Sequence, residues 1–102
     1  MITMNNFHKE IPRLKLLGVG SSEMRALKTN LLLALQELGL NVIIEEIEEF
    51  EKLMQYDISG IPALSFDGKV LLQKQVPSVE VLKDILKLEF NHSNNSENFG
   101  DL

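Results

Sequence analysis

The sequence contains no cysteine, and this absence excludes more functions than any other property of its composition. Without a thiol, the chain forms no disulfide, has no thiolate nucleophile and offers no sulfur ligand to zinc or to an iron–sulfur cluster. Histidine is also scarce, since His8 and His92 lie near opposite ends of the 102 residues in polar surroundings. Metal sites need grouped ligands, so we expect both histidines at the surface, and the sequence predicts no metal site and no cofactor.

Basic residues and long apolar runs are scarce as well. Ten Lys and Arg against fifteen Asp and Glu give a net charge of -5, which disfavours nucleic acids and anionic membranes because both bind basic surfaces. No apolar run approaches the roughly 18 residues of a membrane span, and residues 1–9 lack the pattern of a signal peptide. We therefore expect a cytoplasmic protein with one core, and neither nucleic acid nor membrane among its partners.

A glycine-containing turn at residues 18–24, Gly-Val-Gly-Ser-Ser-Glu-Met, joins an apolar strand at residues 13–17 to a leucine-rich helix. Ser21 or Ser22 can cap the free N–H groups at the start of that helix. A helix that begins just past the carboxyl end of a strand directs these N–H groups and its positive dipole end at a ligand position. The turn is therefore the predicted location of a site.

The helix is predicted to run to Leu38, because its apolar residues recur at helical spacing and Gly39 supplies a left-handed stop. Leu33 lies opposite this apolar stripe, on the same face as Ala26. We therefore expect Leu33 to be exposed or to contact a partner.

Residues 41–44 are mostly β-branched and apolar. They predict a second strand that is buried and runs parallel to the first, because a helix connects the two. The acidic run that follows is read as a solvated face rather than a cation site; it comprises Glu45, Glu46, Glu48, Glu49 and Glu51. A short helix is expected at residues 49–56, with its apolar side chains turned inward, namely Phe50, Leu53 and Met54.

A β-hairpin and a last helix follow. Asp67-Gly68 between the apolar runs at residues 63–66 and 69–73 predicts an antiparallel hairpin, because a type I′ turn needs positive φ at both central positions. Pro77 and Ser78 open the last helix, with Ser78 as its cap. Its predicted core side consists of Val79, Leu82, Ile85 and Leu86.

The resulting order is β-α-β-α-β-β-α, an α/β fold with one four-stranded mixed sheet flanked by helices. Residues 1–12 are predicted to form an N-terminal arm, residues 13–90 the domain, and residues 91–102 a disordered polar tail rich in Asn and Ser.

Several motifs in this order carry a family resemblance: Gly18-Val-Gly20 before a helix, the Ile61-Pro62-Ala-Leu segment, the Asp67-Gly68 hairpin and the Val-Pro-Ser-Val-Glu helix start at residues 76–80. In that order and spacing they resemble the small thioredoxin-like proteins, also called small redox-active disulfide proteins. The resemblance covers residues 14–88 and implies a thioredoxin-like fold.

In that family, Gly-x-Gly precedes Cys-x-x-Cys, whose first thiol attacks a disulfide from the helix N-terminus. The corresponding positions here hold Ser21 and Met24. A serine hydroxyl without a base cannot attack a disulfide, and methionine cannot form one. The resemblance therefore indicates a degenerate, redox-inactive member with no catalytic residue, and thiol–disulfide chemistry is excluded.

The resemblance also implies that the peptide bond before Pro62 is cis and that Ile61 offers its backbone to an extended segment by strand-like hydrogen bonds. The implied ligand-binding groove comprises Gly20, Ser21, Ser22, Met24, Ile61 and Pro62.

Three functions follow as alternatives. The first is a binding module that uses this groove for a protein or an extended peptide. The second, with another chemistry, is a non-thiol enzyme that holds an anion, such as a phosphate or the carboxylate of a glutathione-like molecule, at residues 18–22; Glu23 would repel that anion. The third is assembly as a homodimer through the Leu33 face or the hairpin edge. By ancestry alone, the family role would be thiol–disulfide homeostasis, and the two serines could equally serve only as helix caps.

Overall fold

The computed structural model of the protein describes residues 13–99, with side chains described from residue 13 to residue 91. The N-terminal arm predicted at residues 1–12, including His8, lies outside the described residues, and so does the side chain of His92. The elements in chain order are β1 (Leu14–Leu17), α1 (Ser22–Leu38), β2 (Ile44–Ile47), α2 (Phe50–Leu53), β3 (Ala63–Phe66), β4 (Lys69–Gln73) and α3 (Val79–Phe99).

The four strands form one mixed sheet in the order β2-β1-β3-β4. β1 is parallel to β2 and antiparallel to β3, and β3 is antiparallel to β4. This confirms the predicted order of elements and the mixed sheet. β2 and β4 are the edge strands, so the described residues leave one side of each backbone without a neighbouring strand.

The main core lies between the sheet and the helices α1 and α3. The leucines of β1 and β3 meet those of the helices there, and the fully buried ones are Leu14, Leu16, Leu27, Leu31, Leu64, Leu82 and Leu86. Hydrogen bonds support this packing: the Asn30 amide of α1 donates to the carbonyl of Pro77, two residues before α3, at 2.9 Å, and Lys83 Nζ of α3 donates to Glu37 of α1 at 2.8 Å. Leu33 lies outside this core with 42% of its surface exposed, as predicted.

A second, smaller apolar cluster lies on the other face of the sheet. Its buried members are Leu17, Ile47, Leu53 and Ala63, and Tyr56 and Ile58 pack against them. This cluster fixes the loop between α2 and β3 against the carboxyl end of β1, where the candidate site lies.

Local signals placed the helix caps and the hairpin correctly. The Ser21 side chain caps α1, and Gly39 ends it with a φ of 71°. The Ser78 hydroxyl accepts the N–H of Val81 at 3.2 Å. Asp67 and Gly68 both have positive φ, 51° and 85°, as a type I′ turn requires.

The prediction for the second strand is wrong in position and burial. β2 begins at Ile44, three residues after its predicted start, because its register is set by pairing with β1 from Leu14↔Ile44 to Leu17↔Ile47. As an edge strand, β2 is only partly buried. Glu45 and Glu46 thus belong to the strand, where they pair with Lys15 and Lys28.

The prediction for the short helix is wrong as well. α2 is a single turn, and Leu53 alone of the three predicted inward residues is buried. Phe50 and Met54, four residues apart on one side of that turn, are 73% and 67% exposed. One turn can direct only one side to the sheet, and Leu53 occupies that side.

The last helix is longer than predicted. α3 continues to Phe99, so residues 91–99 have a helical backbone where the sequence predicts a disordered tail. Residues 100–102 lie outside the described part of the chain.

Candidate ligand-binding groove

The start of α1 forms one wall of the candidate site. Ser21 has an extended backbone, φ -118° and ψ 172°, and its hydroxyl accepts the N–H of Met24 at 3.2 Å. Its carbonyl accepts the N–H of Arg25 at 3.0 Å. Ser21 is therefore a helix cap, and the hydroxyl of this half-buried residue is occupied by an intramolecular hydrogen bond.

Met24 belongs to the core and not to the surface of the site. Only 3% of it is exposed, and it packs in the main cluster below the sheet. A Cβ on Gly18 would lie 3.1 Å from the Met24 sulfur and 3.5 Å from Pro62 Cα. The glycine at position 18 therefore allows β1 to approach the loop that carries Pro62.

The Ile61–Pro62 segment forms the opposite wall, and its peptide bond is cis. Pro62 is buried and its carbonyl accepts the N–H of Lys74 at 2.8 Å. Ile61 is 39% exposed. Within residues 13–99, neither its N–H nor its C=O has a hydrogen-bond partner. A backbone donor and acceptor therefore remain available beside Pro62.

An open cleft of about 580 Å³ lies between these two walls, and we call it the groove cleft. It is lined by Val19, Ser21, Glu23, Ile61, Pro62, Lys74, Gln75 and Val76. Of the predicted site residues, the structure brings Ser21, Ile61 and Pro62 together here. Gly20 and Ser22 are exposed outside the lining, and Met24 is buried.

Sequence reasoning missed the wall formed after β4, which consists of Lys74, Gln75 and Val76. The residues of the loop between β4 and α3 form no motif typical of a binding site. Only the position of this loop after the hairpin could have indicated that it lines the cleft. Lys74 has a φ of 61°, and a Cβ placed on Gly60 would meet the methylene groups of the Lys74 side chain. The lysine stem thus lies directly over Gly60.

A second cleft of about 510 Å³, the apolar cleft, adjoins the first. Val19 and Ile61 line both of them. The apolar cleft is also lined by Phe50, Leu53, Met54, Tyr56, Ile58, Ser59 and Gly60. The Ser59 N–H donates to Gln73 Oε1 at 2.7 Å, which ties this loop to β4.

The chemistry available in the groove cleft is that of recognition. Its ionisable side chains are the carboxylate of Glu23 and the ammonium of Lys74, and its hydroxyl, Ser21, is hydrogen-bonded to a backbone N–H rather than to a base. Among the described residues, no three His, Asp or Glu side chains group as metal ligands. Between residues 13 and 99, no helix combines the length and apolar character needed to cross a bilayer.

Comparison with known proteins gives concordant results. A family model described as a thioredoxin domain matches residues 13–87. A thioredoxin of Methanothermobacter thermautotrophicus is 28% identical over 74 residues, which cover 72% of this chain and 96% of that protein. A thioredoxin of Methanocaldococcus jannaschii is 24% identical over 74 residues, covering 72% of this chain and 85% of that protein.

Proposed function

Because the chain belongs to the thioredoxin domain family and contains no cysteine, we propose that it is a redox-inactive member that binds an extended polypeptide segment. The segment lies in the groove cleft, along Ile61 and Pro62. The ligand-contacting residues of the predicted groove are Ser21, Ile61 and Pro62, with Gly20 and Ser22 at its rim.

The observation that carries this proposal is the backbone of Ile61, which makes no hydrogen bond within the described residues. Its N–H and C=O are unpaired within the described residues, and Ile61 lines a cleft large enough for several side chains. An extended segment satisfies such groups by strand-like pairing, and main-chain hydrogen bonds supply affinity without any thiol. The buried Pro62 fixes this backbone, since its carbonyl is tied to the N–H of Lys74.

The alternative of an anion or glutathione site at residues 18–22 has less support. The cap on α1 uses the N–H of Met24, and Glu23 lines the same cleft with a negative charge. Both features reduce the attraction of the helix N-terminus for an anion.

An amide NMR titration tests the groove. The ligands are a mixed pool of blocked extended peptides, glutathione and inorganic phosphate, added separately. We expect the peptide pool to shift the amide signals of residues 20–24 and 60–64, while glutathione and phosphate leave them unchanged. Shifts caused by glutathione or phosphate alone would favour the anion site, and no shift at millimolar peptide would refute groove binding.

Redox inactivity is tested by the reduction of insulin disulfides with dithiothreitol as the reductant. We expect no acceleration by the protein. A Ser21→Cys/Met24→Cys double variant is the matched control, since it restores both thiols at the helix N-terminus, where thiolates are stabilised. Acceleration by the unaltered protein would contradict the proposal.

A homodimer is the second candidate, favoured by the exposed side chains of Leu32 and Leu33 on α1 and by the edge position of β4. Sedimentation velocity over a hundredfold range of protein concentration tests it, with Leu33→Ser as the variant expected to remain monomeric. The cytoplasmic location expected from the sequence stays a prediction.

A further inference from the structure

Lys74 has a backbone conformation that its residue type does not favour. Among the described residues, the non-glycine residues with positive φ are Asp67 and Lys74. The type I′ turn explains Asp67, but Lys74 follows β4 and is not part of that turn. Strained residues of this kind are concentrated at binding sites, where the strain positions a side chain. Because Lys74 lines the groove cleft, a role in ligand binding would account for the strain.

Among the side chains described, none forms an ion pair with the Lys74 ammonium. Most lysines of the described chain have a carboxylate within ion-pair distance, namely Lys15, Lys28, Lys52, Lys69 and Lys83. Between residues 13 and 91, no carboxylate is paired with Lys74, although acidic residues outnumber basic ones by fifteen to ten over the whole sequence. Lys74 is exposed, its stem lies over Gly60, and the residue lines the groove cleft.

Glu23 gives the groove cleft a second charge of opposite sign. It lies in the first turn of α1, where a carboxylate is favourable to the helix. An acidic ligand side chain is therefore attracted at the Lys74 side of the cleft and repelled at the Glu23 side. The two charges thus define where a carboxylate can be accommodated.

The apolar cleft supplies the other half of the recognition surface. Phe50 and Met54 are large side chains with most of their surface exposed, and Val19 and Ile61 connect them to the groove cleft. A polypeptide that pairs with the Ile61 backbone passes between the two clefts. Since successive side chains of an extended chain alternate in direction, closely spaced residues can enter both.

We propose that the bound segment carries a carboxylate side chain that pairs with Lys74 and a large apolar side chain that enters the cleft beside Phe50 and Met54. This inference rests on the proposed groove function and names the ligand class: an extended acidic polypeptide segment with an apolar anchor.

The test uses blocked threonine-based hexapeptides that contain one Phe and one Asp, separated by one to three positions in either order. Each peptide has a twin with Asn in place of Asp, which keeps the shape and removes the charge. Dissociation constants are measured by amide NMR titration of the native protein, Lys74→Gln and Lys87→Gln. Lys87 is the matched control, because it is exposed, has no ion pair within residues 13–91 and lines neither cleft.

We expect at least one Asp peptide to bind the native protein about two- to fivefold more tightly than its Asn twin, the upper part of the range for an exposed ion pair. The ratio should fall to about one in Lys74→Gln and persist in Lys87→Gln. A Lys74→Glu variant should prefer a Lys twin of the same peptide.

Two results overturn the inference in different ways. If Asp and Asn twins bind equally well, or if the ratio survives in Lys74→Gln, the acidic specificity is refuted while the groove function stands. If no peptide shifts the signals of residues 60–64, the groove function itself fails and the inference fails with it. Replacing Phe by Thr in the best peptide tests the apolar anchor, and unchanged affinity would refute that half.

Discussion

Replacement of Lys74 by glycine should give a more stable protein than its replacement by alanine, because the backbone at this position has a φ of 61°. A non-glycine residue pays about 1–2 kcal/mol to adopt the left-handed region. Glycine adopts it without that cost but loses about 0.5–1 kcal/mol more conformational entropy on folding. Both variants lose the lysine stem over Gly60, so this contact cancels in the comparison. We therefore expect Lys74→Gly to be about 0.5–1 kcal/mol more stable than Lys74→Ala.

Urea unfolding followed by far-ultraviolet circular dichroism measures this difference, and thermal unfolding should show it as about 2–8 °C in the midpoint. Lys87 in α3 supplies the matched control, since in a helix interior glycine is about 1 kcal/mol less stable than alanine. The order of the two variants should therefore reverse between positions 74 and 87. If Lys74→Gly is the less stable of its pair, the strain at Lys74 is absent and its use as an argument for a binding role is refuted.

Three further predictions concern stability. Ser65→Ala should raise the free energy of unfolding by about 1 kcal/mol, because the Ser65 hydroxyl is fully buried with no hydrogen-bond partner among the described residues; a lower urea midpoint would contradict this. Hydrogen bonds from the Arg13 guanidinium, the nearest at 2.8 Å, hold the pKa of Asp67 below its usual value of 3.8. This stabilisation is present above that value and is lost as the pH falls through the lowered pKa. Above the lowered pKa, this pairing should make the native protein more stable than Asp67→Asn by less than about 1 kcal/mol, because the pair is so exposed. The difference should disappear as the solution is acidified, and a difference that persists would contradict the pairing. Leu31→Ala should cost about 2–5 kcal/mol at a fully buried position and Leu33→Ala less than about 1, and equal losses in urea unfolding would refute the assigned helix faces.

The parts of the fold that the sequence predicts well depend on neighbouring residues. The Asp67-Gly68 turn needs positive φ at both positions, and both flanking strands have the predicted bounds. The Ser21 and Gly39 caps likewise act within one or two turns of the chain. Such signals are complete in a short stretch and need no knowledge of tertiary contacts.

The errors arise where a distant element decides the structure. The bounds of β2 depend on its register with β1, which moves the strand beyond the most β-branched residues into the acidic run. The outward position of Phe50 and Met54 depends on which side of a single turn faces the sheet. The left-handed backbone of Lys74 has no sequence signal at all, since lysine does not favour it. The last two of these regions line the candidate clefts, which is why the sequence predicted only part of that lining.

The two positions that hold cysteines in the resembling family have acquired separate structural roles here. Ser21 caps α1 with its side chain, and Met24 fills the core beside Gly18. Neither therefore presents a reactive or unsatisfied group to the groove cleft. In the proposed function, a ligand contacts instead the backbone of Ile61, which is unpaired within the described residues, the ammonium of Lys74 and the apolar surfaces of Phe50 and Met54. None of these groups requires a thiol, so the proposed recognition depends on contacts that a chain without cysteine can make, and it is separable from thiol–disulfide chemistry.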